Sequence, residues 1–447
     1  MFRFNLIGLM LGLVSFITSQ LVAQNESQSD LIFKLNTNIE SGKITYKLTE
    51  AFEIIDLLGN PDSENKFQDG GMLLQQLSYP GVEVILGKFK GDIEAPFTLL
   101  GIKIENQIVD IGRDSKIILR SNHDLSKLDD FEGFQNVSLK NVNLQNEIKL
   151  IQRMSYDNLT EWPSKENMPP DFDPINLLEV HKTPGLGIKI LHSGGINGKG
   201  VNIAIIDQPL LLRHEEYFPQ IIRYDSTGLS GYSPKMHASA VTSIAVGKHI
   251  GVAPEAFLSY FAVPMWQNEN SHYINALEKI FKLNETLSDN EKIKVVSISD
   301  GRFSSNPDYT SWQKILTKAE EMDIFVVTCD PKFLDYGTLK IAEGENPDNI
   351  NNYTRGNYSS DTNIILIPAG NRTLACQRGI NVYTFDRKGG MSWAAPYIAG
   401  LAALAIQVNP RITPAEMKEL LINTVTKTSA GPIINPIGFI ESVKKSN

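Results

Sequence analysis

The chain has 447 residues, and 42% of them are hydrophobic, which is enough for two or three domains with buried cores and excludes a wholly disordered chain. Its 42 basic and 51 acidic residues give a formal net charge of −9, with no basic run, so broad nucleic-acid binding is not expected. Two cysteines exclude a disulfide scaffold and a zinc site made of cysteines alone.

Residues 1–23 are typical of an export signal. Arg3 gives a charged start, an almost entirely apolar stretch runs from Leu6 to Thr18, and the small residue Ala23 offers a cleavage point. An uncleaved membrane anchor is the alternative, but Ser15 interrupts a run that is already short for a bilayer. The sequence therefore predicts an exported protein, periplasmic or secreted, and no later segment is expected to span a membrane.

Residues 24–155 predict a small α+β domain. A helix is expected over Thr49–Leu58, because Gly59 and Pro61 would end it. Strands are expected at three later runs, Val82–Leu86, Phe97–Ile104 and Lys116–Leu119. No cluster of histidines or carboxylates lies in this stretch, so no chemistry is predicted for it. It is either a pro-segment that folds against the rest of the chain and is removed, or a permanent accessory domain.

Residues 156–184 predict a linker, because four prolines crowd the stretch between Trp162 and Pro174. From residue 185 to 447 apolar strands and helices alternate. The expected strands are Val201–Ile206, Phe257–Val263, Val295–Ile298 and Ile324–Thr328, and the expected helices are His237–Val246, Ile274–Lys282, Trp312–Met322, Ser392–Val408 and Pro414–Thr424. Such strands are typical of a parallel sheet covered on both faces. The predicted fold class is α/β, a doubly wound, mostly parallel sheet, with the smaller α+β domain preceding it in the chain.

Three residues of this region bear chemistry at element ends. Asp207 follows the first strand, His237 opens a helix, and Ser392 opens a long apolar helix after Gly389 and Gly390. Each alone fits an ordinary role as a turn, cap or packing residue. Together they supply the hydroxyl, imidazole and carboxylate that nucleophilic hydrolysis needs, in the chain order Asp, His, Ser.

The segments that carry these residues resemble those of the subtilisin-like serine peptidases. The matching stretches are AIIDQPLLLRHEEY around Asp207, HASAVTSIAVG from His237, GVAPEAFLSYFAV (251–263), VVSISDG (295–301), IPAGNRTLA (367–375) and GMSWAAPYIAG (390–400). The resemblance covers roughly residues 185–447 and implies a subtilisin-like fold.

What the resemblance implies is endopeptidase chemistry on a polypeptide substrate, with no cofactor required. Ser392 would attack the scissile carbonyl, His237 would act as base and then acid, and Asp207 would orient the imidazole. The backbone of Val295–Gly301, with Ser297, Ser299 and Gly301 as the substrate-binding residues, would pair with an extended peptide. The sequence leaves structural calcium and the oligomeric state open.

One position departs from the family pattern. Where the family has an asparagine that donates to the oxyanion, this chain has Asp330 in FVVTCDP. An ionised carboxylate there would repel the oxyanion, while a protonated one could still donate. We therefore expect a working but attenuated or pH-biased enzyme. The alternative is a catalytically weak or dead peptidase fold that binds peptides. A lipase or esterase is disfavoured because no Gly-x-Ser-x-Gly elbow surrounds Ser392.

Two further groupings are weaker. Cys329 and Cys376 either form a disulfide, which an exported setting permits, or remain two separate buried thiols, which the sequence favours. Asp207, His214, Glu215 and Glu216 form a dense acidic and histidine cluster, but they lack a His-Glu-x-x-His spacing, so no metal site is predicted.

Overall fold

The structure, a computed structural model, describes residues 28–446 except for gaps at 40, 42, 45–48, 70–71, 90–96, 106, 110–116, 121–124, 126–127, 129–132, 227–228, 230–231, 268 and 302. The expected export signal lies outside the described residues. The chain divides into two compact units. The first runs to Asp130 and includes Asn136–Leu150 and Thr160–Pro170, and the second comprises Phe131–Gln135, Ile151–Leu159 and Asp171–Asn447.

The described residues of the first unit form helices and two sheets. Its elements are α1 (28–39), α2 (Ala51–Leu58), β1 (Ser63–Asp69), β2 (Met72–Tyr79), β3 (Val82–Phe89), β4 (Thr98–Ile104), β5 (Gln107–Val109), β6 (Ile117–Arg120) and β7 (Val137–Asn141). Strands β1 to β5 form an antiparallel sheet in chain order, and β6 pairs with β7 in parallel. Ile54 of α2 is buried in a core with Val84 and Leu99 from the sheet. The expected helix and three strands are confirmed within a few residues.

The long continuous part of the second unit, from Asp171, begins inside the segment expected as a linker. After α3 (Ile148–Ile151), which lies at the boundary between the units in the chain, come β8 (Tyr156–Asp157), α4 (Pro174–Val180) and α5 (Ile188–Ser193). Pro174 occupies the first position of α4, where its missing N–H is no loss, and the Asp173 carboxylate accepts from two N–H groups of the first turn. Part of the proline-rich stretch is therefore ordered structure, because a proline at that position starts a helix.

The rest of the second unit alternates strands and helices. Its first part contains β9 (Asn202–Asp207), β10 (Ile221–Asp225), α6 (Met236–Val246), β11 (Phe257–Ala262), α7 (Ser271–Asn284), β12 (Ile293–Ile298), α8 (Tyr309–Glu321) and β13 (Phe325–Thr328). Its second part contains β14 (Tyr336–Ile341), β15 (Tyr353–Arg355), β16 (Ile365–Gly370), β17 (Arg372–Ala375), β18 (Tyr383–Asp386), α9 (Met391–Val408), α10 (Pro414–Asn423), β19 (Thr426–Thr428), β20 (Gly431–Ile433) and α11 (Pro436–Lys445).

A parallel five-stranded sheet, in the order β10-β11-β9-β12-β13, forms the centre of this unit. Alternate side chains of β9 enter different cores, since Ile203 and Ile205 lie in one apolar cluster and Ala204 and Ile206 in another. Both faces of the sheet are therefore covered, as predicted from the apolar strands. A second five-stranded sheet, β15-β14-β16-β20-β19, and a three-stranded antiparallel sheet, β17-β18-β8, complete the unit.

Helix α9 is the buried axis of the second unit. By length and composition alone its 18 residues could cross a membrane, which the sequence analysis did not expect of any later segment, but 78% of them are buried inside the unit. A Cβ added at Gly400 would lie 2.6 Å from Cβ of Val252 and 3.3 Å from the carbonyl oxygen of Ala245 in α6. The glycine thus lets α9 approach α6 closely, and this packing brings the two helices side by side.

A buried carboxylate ties three segments of this unit together. Both oxygens of Glu216 are used: Oε1 accepts from Nδ1 of His249 (2.9 Å) and lies 2.9 Å from the Tyr383 hydroxyl, whose one proton is shared between Glu216 and Glu215, and Oε2 accepts from the backbone N–H groups of His249 (2.9 Å) and Ile250 (3.2 Å). Burial alone would raise the pKa of Glu216, but these hydrogen bonds outweigh it and hold the pKa below its usual value.

Replacing Glu216 with glutamine is expected to lower the free energy of unfolding by about 2–4 kcal/mol, because an amide NH₂ would then face N–H donors in a buried site. Since the pKa of Glu216 is lowered by folding, its carboxylate stabilises the fold above the ordinary glutamate pKa, and this contribution is lost as the pH falls through the folded value. Urea unfolding at several pH values measures both effects.

The matched control for that experiment is Glu215→Gln. Glu215 is adjacent but exposed, and it meets only the Tyr383 hydroxyl at 2.6 Å, so we expect a loss below about 1 kcal/mol. Equal losses in the two variants, or a Glu216→Gln deficit that grows as the solution becomes more acidic, would contradict the role given to Glu216.

Candidate active site

Asp207 is the last residue of β9, a strand hydrogen-bonded on both sides by β11 and β12. Its side chain is fully buried, and its carboxylate oxygens lie 2.9 and 3.0 Å from Nδ1 of His237. Oδ1 also accepts from the backbone N–H of Gln208 at 2.8 Å. The carboxylate thus favours the imidazole tautomer with a proton on Nδ1, which leaves Nε2 as the atom able to accept a proton.

His237 is the second residue of α6, and its side chain is one-fifth exposed. One face of the imidazole packs against the indole of Trp393, with ring centroids 5.3 Å apart. Because Trp393 follows Ser392 directly, this contact brings the start of α9 to the histidine. The ring is therefore held at its edge by a carboxylate and on its face by an aromatic side chain.

Ser392 is the second residue of α9, after Gly390 at the N-cap position. Its hydroxyl donates to the backbone carbonyl of Ser299 at 3.1 Å, and the Ser299 hydroxyl donates to the backbone carbonyl of Ser392 at 2.9 Å. This reciprocal pair joins the start of α9 to the segment that follows β12. The position near a helix N-terminus also directs the positive end of the helix dipole at the serine.

The three residues expected to carry the chemistry therefore lie in one neighbourhood. Asp207 is hydrogen-bonded to His237, and His237 packs against Trp393, the residue after Ser392. The Ser392 hydroxyl itself donates to the Ser299 carbonyl. To pass its proton to the imidazole, the hydroxyl has to turn away from the Ser299 carbonyl, because one O–H makes one strong donation at a time.

The three residues expected to bind substrate differ in their surroundings. Ser297 is buried in β12 and aligned with Ile205 on one side and Val327 on the other, so its backbone has no open edge for an added strand. The expectation of strand addition along β12 is therefore corrected: the sequence did not show that both edges of this strand are already paired.

Ser299 and Gly301 lie past the end of that ladder. The backbone N–H of Cys329 donates to the Asp300 carbonyl at 2.9 Å, which closes one side of this extension. A Cβ on Gly301 would stand 2.7 Å from the Cys329 carbonyl oxygen, so glycine is required by the close approach of the two backbones. Residues 299–301 remain the part of this segment that is next to Ser392.

Asp330, the residue at the oxyanion position of the resemblance, is largely buried, and its Oδ1 accepts from the backbone N–H of Lys332 at 3.0 Å. Its neighbour Cys329 has a free thiol, as does Cys376. Burial raises the pKa of the Cys329 thiol to about 12, while nearby hydroxyls of Tyr336 and Ser392 oppose that rise. The thiol is therefore neutral, and it lies against the presumed nucleophile.

Sequence reasoning missed two residues of this site. The sequence analysis gave Trp393 no role, yet its ring packs against His237, and Asp386 at the end of β18 accepts from the backbone N–H of Gly389 at 2.7 Å in the turn before Ser392. The position of Trp393 beside the serine was the one available signal. Asp386 carried none, since its role depends on how β18 is placed against α9.

The acidic and histidine cluster near Asp207 does not form a common site. The two ring nitrogens of His214 are engaged, Nε2 with the Val382 carbonyl (2.9 Å) and Nδ1 with the backbone N–H of Glu216 (3.2 Å), and Glu216 faces His249. Within the described residues, no group of three or more His, Cys, Asp or Glu side chains is arranged to hold a metal ion.

Comparison with known proteins agrees with this geometry. Residues 336–439 match the model of the subtilase family. The chain is 24% identical over 284 residues to the subtilisin-like protease PopC of Myxococcus xanthus, covering 54% of this chain and 58% of that protein. It is 26% identical over 281 residues to the serine protease AprX of Bacillus subtilis, covering 52% and 62%. The chain thus matches about three fifths of the length of these curated relatives.

Solved structures with a similar fold include the subtilase cytotoxin SubAB assembly and a cold-adapted subtilisin-like serine proteinase. The first has a TM-score of 0.47 at 17% identity and covers 59% of this chain and 96% of that one. The second has a TM-score of 0.40 at 18% identity and covers 53% and 89%.

The second unit thus combines a parallel sheet, an Asp–His pair at the end of one of its strands and a serine at a helix start. The match of residues 336–439 to the subtilase family and the two protease relatives show a likeness to the subtilisin-like serine peptidases. The resemblance predicted from the sequence is thereby confirmed at the level of the family.

Both cysteines are expected to resist modification in the folded chain. Burial raises the pKa of Cys329 to about 12 and also raises that of Cys376, so at pH 8 both cysteines are in the unreactive thiol form. Titration with a chromogenic disulfide reagent should therefore detect no thiol in native protein and two in denaturant. Rapid reaction of Cys329 in folded protein, identified by comparison with the Cys376→Ala variant, would contradict the prediction, because it would show that the reagent reaches the Cys329 thiol in the native state.

Proposed function

We propose that this chain is an exported serine endopeptidase that cleaves peptide bonds through Asp207, His237 and Ser392, with an acyl-enzyme intermediate. The observation that carries the proposal is the hydrogen bond from Nδ1 of His237 to the buried Asp207, beside a helix that begins at Ser392. A buried carboxylate that orients an imidazole beside a serine is the arrangement that activates a hydroxyl nucleophile.

The mechanism follows from the contacts. Nε2 of His237 takes the proton of Ser392 as Oγ attacks the scissile carbonyl, and Asp207 stabilises the imidazolium through Nδ1–H. The imidazolium then protonates the leaving amine, and a water molecule hydrolyses the acyl-enzyme by the same steps. The backbone N–H of Ser392, at the positive end of the α9 dipole, is the donor that we assign to the oxyanion.

A polypeptide is the substrate that best fits the backbone next to the serine. Residues 299–301 continue β12 beyond its pairing with β9 and reach Ser392 through Ser299, and we assign this segment to the backbone of an extended peptide. Export is part of the proposal because of the charged start and apolar stretch of residues 1–23. The first unit is then either a removable pro-segment or an accessory domain.

The first test compares the wild type with Ser392→Ala. We expect the wild type to digest a peptide library and to be labelled by a fluorophosphonate probe at Ser392, since labelling needs an activated hydroxyl. Ser392→Ala should lose labelling and about 10⁴-fold or more of the hydrolysis. Thr317→Ala, an exposed hydroxyl on α8, is the control that should retain both activities. Hydrolysis that survives in Ser392→Ala would exclude this nucleophile.

A second candidate is a weak or inactive peptidase fold that binds peptides. Asp330 favours it, because a carboxylate at the oxyanion position accepts hydrogen bonds and cannot stabilise a developing negative charge unless it is protonated. The Ser392 hydroxyl, held by the Ser299 carbonyl, also favours a resting state. Tight peptide binding without fluorophosphonate labelling would support this candidate over the first.

Replacing Asp330 with asparagine is expected to raise kcat/KM by about tenfold to a hundredfold, since an amide supplies a donor where the carboxylate supplies none. Asp330→Ala removes the charge without adding a donor, so it should gain less than Asp330→Asn. Peptide hydrolysis across pH 4–9 checks both variants. Unchanged rate and pH profile in Asp330→Asn would mean that this side chain does not face the oxyanion.

A further inference from the structure

A buried carboxylate lies just before the nucleophile segment. Asp386 ends β18, the middle strand of the three-stranded antiparallel sheet, and only 2% of its surface is exposed. The chain then turns through Lys388, Gly389 and Gly390 into α9. Burying a carboxylate is unfavourable unless hydrogen-bond donors face it. The neighbours of Asp386 discussed next lie on both sides of Ser392 in the chain.

The first donor fixes the turn that precedes the serine. The backbone N–H of Gly389 donates to Oδ1 of Asp386 at 2.7 Å. Gly389 has φ +66°, and a Cβ there would stand 2.5 Å from the backbone nitrogen of Gly370, so the turn also has no room to relax on that side. Three residues later the chain reaches Ser392, and the start of α9 is therefore set by this bond.

A second neighbour of Asp386 is Trp393, which follows Ser392 in the chain. Trp393 lowers the pKa of Asp386, and its indole N–H is buried without a hydrogen-bond partner among the described residues. The same indole packs against His237 at 5.3 Å between ring centroids. Trp393 is therefore in contact with the imidazole, and it also acts on the charge of Asp386.

The surroundings of Asp386 balance its charge. Burial raises the pKa of Asp386, and the N–H of Gly389, the indole of Trp393, the N–H of Lys388 and the positive charge of Arg372 oppose that rise. Arg372 stands directly opposite Asp386 in the pairing of β17 with β18, and it is buried too. The carboxylate therefore acts as a fixed acceptor inside the fold.

We propose that Asp386 is a positioning residue of the active site, which aligns Ser392 through the Gly389 turn and His237 through the indole of Trp393. It touches neither the substrate nor the reacting atoms. The inference rests on the proposed function, because it assigns Asp386 to the alignment of the nucleophile with its base. Misplacement of such groups by about 1 Å costs on the order of a hundredfold in rate.

The first experiment measures kcat per active site, with the active sites counted by fluorophosphonate titration. For Asp386→Asn and Asp386→Ala we expect kcat per titrated site to fall about tenfold and a hundredfold, with KM within about twofold. A residue that only stabilises the fold would reduce the number of titratable sites and leave kcat per site unchanged, and that result would overturn the proposal.

The matched control is Asp157→Asn. Asp157 is buried to the same degree, lies on β8 of the same sheet, and is aligned with Thr384 rather than with the nucleophile turn. This variant should lose stability but keep kcat per site. If Asp157→Asn loses as much kcat per site as Asp386→Asn, then any disturbance of this sheet lowers the rate, and the proposal fails.

A double-mutant cycle tests the route through the indole. Trp393→Phe keeps an aromatic ring against His237 but removes the indole N–H through which the proposal connects Trp393 to Asp386. If Asp386 acts through that N–H, the loss in the double variant Asp386→Asn/Trp393→Phe should be clearly smaller than the product of the two single losses. Independent losses that multiply would exclude the indole as the connection. These two single variants carry the test if Asp386→Ala does not fold.

A spectroscopic readout separates failure of this inference from failure of the proposed function. In protein labelled with ¹⁵N-tryptophan, the indole resonance missing from Trp393→Phe is that of Trp393, and it should move upfield in Asp386→Asn but not in Asp157→Asn. Absence of hydrolysis and labelling in the wild type would refute the peptidase function alone. An unmoved indole resonance in Asp386→Asn would refute the positioning role, whatever the activity.

Discussion

The active arrangement depends on one buried hydrogen bond, between the Asp207 carboxylate and Nδ1 of His237. A carboxylate removed from water is costly unless donors face it, and here the imidazole and the backbone N–H of Gln208 are those donors. Because β9 lies between two paired strands, the carboxylate cannot shift to find others. The histidine must come to it, and this requirement fixes where α6 begins relative to the sheet.

Ser392 lies near Asp207 and His237 because α9 packs against α6, and not because these residues are close in the sequence. Small residues on α6 and α9, with Gly400 against Val252 and Ala245, allow the two helices to lie side by side. Trp393, the residue after Ser392 in α9, then packs against the imidazole of His237 near the start of α6. The run of small residues that looks like generic core in the sequence therefore helps to bring the starts of the two helices, which carry His237 and Ser392, into one neighbourhood.

The sequence predicted the parts of this protein that local pattern controls. Apolar strands, the helix that begins at Pro414 and the positions of Asp207, His237 and Ser392 at element ends were all readable, because period, proline positions and strand ends are local properties. Ser297 was assigned to substrate because one strand does not reveal which of its edges is already paired. The roles of Glu216 and Asp386 were not predicted for a related reason, since their partners come from distant segments.

The same separation between local and long-range control bears on catalysis. The three residues of the proposed triad each belong to a different element of the second unit, so their alignment is a property of packing and, in our proposal, depends on further contacts such as the one between Asp386 and Gly389. The proposed oxyanion side, in contrast, includes one side chain, Asp330, in the loop after β13. In the proposed enzyme, a change at Asp330 alters the stabilisation of the transition state while the core keeps Asp207, His237 and Ser392 aligned.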